Sequence, residues 1–196
     1  MSGQVCLIIY RKENFFQMKT KDIVNIAMFA TLLSVCAWIY IPMTIPFTMQ
    51  TFAVFLAMFV LGGKKGTIVI IIYLFLGMIG MPVFSGGTAG PGVIFGATGG
   101  YLFGWLAIGL VEWAIEHMTD RFANKWIQVI TMCTGLFACY AIGTFWYVSI
   151  YAKGEVMAGM FTALSICVFP YIIPDLIKMA LAYTISKRIK KYISNV

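Results

Sequence analysis

From Pro82 to Gly100 the chain reads PVFSGGTAGPGVIFGATGG, with no charged side chain and seven of the nineteen glycines, between segments apolar enough to span a bilayer. At membrane depth, non-helical backbone is tolerated only where protein or a water-filled cavity satisfies its N–H and C=O groups. This stretch is therefore expected to fold back over a site. A second constraint lies near the other end, where IPDLIK puts Asp175 and Lys178 at the head of the last hydrophobic segment. Ionisable side chains in such a place mark functional sites.

Composition agrees with a membrane setting. Hydrophobic residues make up 61% of the chain and charged ones 11%, against about 25% charged in a soluble domain. A length of 196 residues leaves room for roughly six helices of about 20 residues each, and for no soluble catalytic domain. The net charge of +7 does not point to nucleic acid, because the basic residues fall at membrane edges rather than on one patch. Cys6, Cys36, Cys133, Cys139 and Cys167 form no C-x-x-C pair. Four of the five lie in apolar segments and are read as small hydrophobes, with no disulfide or metal framework.

Breakers place the segments. The first span is expected from about residue 22 to 40, before Pro42, and the second from 43 to 61, interrupted near Pro46 and closed by a turn at Gly62-Gly63-Lys64-Lys65-Gly66. The third, from 67 to 81, is short and opens into the glycine-rich loop. The fourth runs from 99 to 117 and the fifth from 126 to 150, before a watery Lys153-Gly154-Glu155. The stretch from Val156 to Tyr171 is too short to cross and return and reads as a re-entrant or interfacial helix. Pro174 then suits the first position of the sixth span, 174 to 187. The expected fold class is thus an all-α integral membrane protein of six transmembrane helices, with a glycine-rich outer loop after helix 3.

Twelve of the fourteen Lys and Arg residues, from Arg11 to Lys191, flank these spans on one face. By the positive-inside rule both termini are then cytoplasmic, and the glycine-rich loop, the Pro42–Pro46 loop and Asp175 with Lys178 gather at the outer face. Residues 1–17 hold an apolar run, Val5 to Tyr10, too short for a signal-peptide core. They read as an extension upstream of a natural start at Met18, and 18–196 as one six-helix domain.

Asp175 and Lys178, three residues apart, share a helical face. An Asp in a first helical turn is also ordinary dipole stabilisation, whereas a Lys just inside a helix N-terminus opposes the dipole and asks for an anion unless it snorkels to water. A small carboxylate ligand would supply one. The rest of the candidate pocket is aromatic and amide-rich: Phe47, Thr48 and Gln50 after the first outer loop, Ser85, Gly87 and Thr88 in the glycine-rich loop, Thr98 and Tyr101 at the start of span four, and Trp146 and Tyr147 at the end of span five. Gln50 is the strongest of these, since an amide in an apolar wall must find partners. Trp146 and Tyr147 also fit an interfacial belt.

Four motifs taken together, PFTMQTF (46–52), GxxGMPVFSGG (77–87), GATGGYLFGW (96–105) and IPDLIK (173–178), resemble the BioY family, the biotin-binding S components of energy-coupling factor (ECF) transporters. The likeness runs from about Lys19 to the end. It implies a six-helix protein in the plasma membrane of a prokaryote that captures biotin at the outer face and carries it inward by toppling. An EcfT-type transmembrane coupling protein and two cytoplasmic ATPase subunits would be supplied by other chains, with biotin as transported ligand and no cofactor. Carried over motif by motif, the family's site residues fall on Asp175, Lys178, Gln50 and Tyr101, the lysine being expected at or near the valerate carboxylate. Thr88 stands where some relatives have Asn, and Ala97 where the pattern has Pro. The small-residue seam toward the coupling partner appears as Ala27-x-x-x-Thr31 and Ala30-x-x-x-Ser34.

Other classes fit less well. GGKKG lacks the spacing of a phosphate-cradling P-loop. An enzyme would need a nucleophile and base or a metal cluster, and the single histidine, His117, sits at a span end beside Glu116. An S component for another small carboxylate vitamin remains an alternative, as does an ion-coupled small-acid carrier, for which Glu112 and Asp175 would lie near opposite faces.

Overall fold

The computed structural model describes residues 18–118, 125–151 and 156–193. The extension read at residues 1–17 and the Lys153-Gly154-Glu155 break lie outside the described residues.

Helix α1 (Thr20–Trp38) leads into a two-residue antiparallel ladder, β1 (Tyr40–Ile41) with β2 (Phe47–Thr48), in which Tyr40 faces Thr48 and Ile41 faces Phe47. Pro42 and Pro46 bracket the turn, where a missing N–H costs no ladder bond. Helix α2 (Gln50–Leu61) follows. The second segment is therefore a hairpin plus a 12-residue helix rather than one interrupted span. At 1.5 Å per residue α2 is about 10 Å shorter than the 19-residue α1. At its N-terminal end Thr48 and Gln50 are buried, 6% and 2% exposed. Residues 53 to 59 of α2 are buried without interruption, as expected of a helix that is apolar all round and central.

The turn to α3 (Gly63–Met78) is made by Gly62 alone, at φ 87°. The longer turn expected through Gly66 is a correction, because Lys64 to Gly66 already lie in the first helical turn. Gly63 packs directly on the backbone of Trp113, where any side chain would collide, and its N–H donates to Glu116 Oε2 at 2.8 Å. A carboxylate from a neighbouring helix thereby takes one of the orphan amides at the α3 N-terminus. At the same end Lys65 Nζ meets Asp22 Oδ1 at 2.6 Å and ties α3 to α1.

The glycine-rich stretch contains a 3-10 turn (Ser85–Gly87), with Gly86 at φ 65° and Gly87 at φ 76°, and a four-residue helix α4 (Pro91–Ile94). Its fixed point is Phe84, 1% exposed, whose ring occupies the space a side chain at Gly77 would need. Gly90 N–H donates to Gly77 O at 2.8 Å and closes the loop on the end of α3.

Helices α5 (Gly99–Met118) and α6 (Lys125–Tyr151) form the tightest pair. Gly104 lies against the Cys139 backbone and Gly143 against the Tyr101 ring, the small-residue approach typical of membrane helices. Then come α7 (Val156–Cys167) and α8 (Phe169–Ile193). The break falls at Val168, so the expected start of the last helix at Pro174 is a correction. Pro170 occupies the first turn, where its missing N–H is harmless, and the helix continues through Pro174.

Among the described residues three helices are long and apolar enough to cross a membrane, Thr20–Trp38, Trp126–Ile150 and Gly159–Lys191. The last includes most of α7.

Candidate functional site

Because α8 begins at Phe169, Asp175 and Lys178 stand in its second and third turns, past the reach of a first-turn dipole effect. Both are nearly inaccessible, 3% and 5% exposed. Lys178 Nζ donates to Asp175 Oδ1 at 2.9 Å, to Thr48 O at 2.8 Å and to Thr51 Oγ1 at 3.0 Å, and it lies 4.0 Å from the centre of the Phe47 ring. An ammonium has three N–H groups, and all three are used. Asp175 Oδ1 also accepts from Thr51 Oγ1 at 2.9 Å, while Oδ2 accepts from the Tyr140 hydroxyl at 2.7 Å.

The anion that Lys178 was expected to need is supplied by Asp175 within the protein, so the pair is neutral as a unit. Of the two lone pairs on each carboxylate oxygen, Oδ1 has both occupied and Oδ2 has one left. Asp175, which lines the cavity, thus keeps one acceptor position. A negatively charged group there would meet a carboxylate; an N–H would meet a partner.

That cavity, of ≈ 70 Å³, is lined by Ile45 and Gln50 from the hairpin side, Tyr101 and Trp105 from α5, Tyr140 from α6 and Tyr171 from α8, together with the ion pair, Thr48, Thr51, Ser85, Thr98, Cys139 and Cys167. Toward the hairpin end a second cavity of ≈ 450 Å³ runs between the β1–β2 turn and the glycine-rich loop, lined by Tyr40, Met43, Thr88, Val93 and Ala97 among others. Pro46, Ser85 and Thr98 border both. These three residues are the rim between the outer cavity and the inner one, which the ion pair lines. The hairpin is fastened there by the Tyr171 hydroxyl, which donates to Ile45 O.

Of the residues singled out in the sequence, Asp175, Lys178, Gln50, Ser85 and Tyr101 line the inner cavity. Phe47 contributes through its ring beneath the ammonium. Thr88 is exposed in the outer cavity, its hydroxyl donating to Ser85 O at 3.0 Å. Gly87 packs under Trp38. Trp146 lines neither cavity; its indole N–H donates to Gly96 O at 3.0 Å and its ring packs on Phe103. The residues that span five lends to the inner cavity are Leu136, Cys139 and Tyr140, of which Tyr140, six positions before Trp146, bonds to the ion pair.

Thr51, Tyr140 and Tyr171 escaped sequence reasoning. Each carried a signal: Thr51 adjoins Gln50 in an otherwise apolar helix, Tyr140 sits in mid-span rather than at a belt position, and Tyr171 is one helical turn before Asp175.

Among the described residues no cluster of three or more His, Cys, Asp or Glu could hold a metal ion, and Cys36, Cys133, Cys139 and Cys167 are free thiols. On the partner-seam motif, Ala27 and Thr31 are exposed beside Val24, Met28 and Val35, whereas Ala30 is buried and Ser34 half-buried in the core. Of the two expected seams, only the first lies on the free face of α1.

Fold and site together define an integral membrane protein of apolar helices that encloses a small-molecule pocket around a neutral ion pair. The BioY family model matches residues 11–195, and the chain belongs to the BioY family. It is 37% identical to the biotin transporter BioY of Thermotoga maritima, across 87% of this chain and 96% of that one. Identity to a probable biotin transporter BioY of Pyrococcus horikoshii is 34%, over 88% of this chain and 98% of its relative. The fold matches the crystal structure of the S-component for biotin from an ECF-type ABC transporter with a TM-score of 0.75 at 24% identity, covering 89% of this chain and 95% of that one.

Proposed function

We propose that this chain captures biotin and serves its uptake as the substrate-binding S component of an ECF-type transporter. It is not an enzyme. The observation that carries the proposal is the donor and acceptor count at the ion pair: one free lone pair on Asp175 Oδ2, on a cavity that Gln50 and Ser85 also line. A cyclic urea, with two N–H donors and one carbonyl acceptor on a rigid apolar ring, fits such a wall, and biotin is a cyclic urea fused to a thiolane with an acid chain. The ureido end lies inward on Asp175 and the valerate chain runs past Ser85 into the outer cavity, its carboxylate toward water. Charge arithmetic supports this orientation: a carboxylate placed inward would be buried against Asp175, at a cost of several kcal/mol.

In this reading α1, α2, α3, α5, α6 and α8 cross the plasma membrane of a prokaryote and α7 covers the outer mouth. Lys19, Lys21, Lys64, Lys65 and the Lys187–Lys191 cluster, at the end opposite the hairpin, set both termini in the cytoplasm. Energy comes from an EcfT-type coupling protein and two cytoplasmic ATPases. The exposed Ala27/Thr31 seam is the surface offered to the coupling protein.

Uptake of labelled biotin by biotin-auxotrophic cells lacking their own importer tests the proposal. With an energising module co-expressed, wild-type chain supports uptake and Asp175→Asn does not. A membrane-inserted wild-type chain that gives no uptake and binds no biotin overturns it.

A further inference from the structure

Behind the pocket wall, outside the set of lining residues, lies Tyr73 of α3. It is 0% exposed, edge-on to Phe84 at 5.5 Å between ring centres and tilted against Trp105 at 6.2 Å. Its hydroxyl donates to Val83 O at 2.8 Å and receives a hydrogen bond from Gln50 Nε2; on the other side of the amide, Ser85 Oγ stands 3.1 Å from Gln50 Oε1.

The order of these bonds has a single solution. A carbonyl only accepts, so the one proton of the Tyr73 hydroxyl is committed to Val83. What faces Tyr73 must then be a donor, which is the NH2 of Gln50. The amide oxygen is thereby turned to Ser85, whose hydroxyl must donate to it. Were the amide flipped, its oxygen would face a hydroxyl with no proton left, and a buried unmade bond costs more than a made one gains. The wall is polarised as a result: Gln50 keeps one N–H for the cavity and Ser85 keeps lone pairs.

We propose that Tyr73 is a positioning residue that fixes the amide orientation of Gln50, so that Gln50 presents a donor and Ser85 an acceptor to a cyclic urea. The ligand class rests on the function proposed above; the amide orientation does not. Because Tyr73 reaches the ligand only through Gln50 and the Val83–Ser85 segment, it sets specificity from outside the site. The same hydroxyl pins the start of the glycine-rich loop, so one side chain holds both the recognition amide and the loop that closes over it.

The test has two arms, both on the full chain in lipid nanodiscs. In ligand-free protein labelled with 15N-glutamine, the Gln50 NH2 protons of the wild type exchange slowly with water. Tyr73→Phe, which keeps the ring, speeds that exchange by about tenfold or more, the loss of one buried hydrogen bond. Ser85→Ala leaves it slow. Fast exchange in the wild type, or equal exchange in the two variants, overturns the proposal whatever the ligand is. In the second arm, Tyr73→Phe weakens biotin binding about fivefold in the wild-type background but less than about twofold in a Gln50→Met background, since the route to the ligand is already cut. Equal loss in both backgrounds shows a merely structural role and overturns it. A wild type that binds no biotin removes the ligand assignment, and the exchange arm then decides the role of Tyr73 alone.

Discussion

Lys178→Met and Asp175→Asn, alone and together, separate the ion pair's part in stability from its part in binding. In Lys178→Met the stem is kept and the charge removed, leaving Asp175, 3% exposed, with only Tyr140 and Thr51 as partners. Removing one member of a buried pair costs about 3–5 kcal/mol, because the other charge is left uncompensated. The Thr48 carbonyl, 2.8 Å from the ammonium, also loses its donor, which adds about 1–3 kcal/mol. A total of about 4–8 kcal/mol approaches the whole stability of a typical domain. Lys178→Met is therefore expected to melt far below the wild type. The double variant leaves no buried charge: an asparagine carbonyl still accepts from Tyr140, and methionine fills the lysine stem. It is expected within about 3 kcal/mol of wild type, the Thr48 carbonyl still lacking its donor, since neutral replacements of a buried pair are often tolerated. Binding should follow another order, with all three variants taking biotin about tenfold or more weakly, since each removes the charged acceptor or the ammonium that holds it. The assay is thermal unfolding in detergent by fluorescence-detected size exclusion, paired with biotin titration. A double variant as unstable as Lys178→Met would refute the reasoning about charge, and one that binds biotin like wild type would refute the role of the pair.

Other consequences are cheaper to check. Biotinamide, neutral at its acid end, is expected to bind within about threefold of biotin by competition, while replacing a ureido N–H with a group that cannot donate should cost about tenfold or more; the reverse ranking would place the carboxylate at the ion pair. Tyr171→Phe removes the fastening to Ile45 O and should raise the biotin dissociation rate about fivefold in stopped-flow displacement, with no effect if the hairpin does not close the pocket. Gly77→Val would drive a side chain into the Phe84 ring, so affinity should fall sharply. Thr88→Ala, in the outer cavity, should change affinity less than about twofold by calorimetry, and Trp146→Phe should lower melting temperature more than affinity.

The sequence made the membrane class legible because composition alone decides whether a chain can be soluble. It also brought Gln50, Ser85, Tyr101, Asp175 and Lys178 to one place, since polar residues in apolar segments have to be gathered somewhere. It was less informative about where helices begin. Gly62 to Gly66 looks like one turn, but only Gly62 needs a positive φ. Pro174 looks like a helix start because proline favours that position, yet Pro170 already held it and the core packing of Met179 and Ala182 carries the helix onward. The partner of Lys178 was in view three residues away. That the pair is closed on itself depended on Thr48, Thr51 and Tyr140, which come from other elements, and no local pattern counts hydrogen bonds across helices. Tyr73 was invisible for the same reason: in the sequence it is one aromatic within TIVIIIYLFLG.

The most direct test of the account is equilibrium binding of labelled biotin to the purified, ligand-stripped chain in nanodiscs with no ATP and no partner protein. One biotin per chain, bound tightly in the wild type and about tenfold or more weakly in the folded Asp175→Asn/Lys178→Met variant, is the expected result. A folded wild-type chain that leaves biotin unbound, or a double variant that binds it equally well, would contradict the claim that this ion pair holds the vitamin.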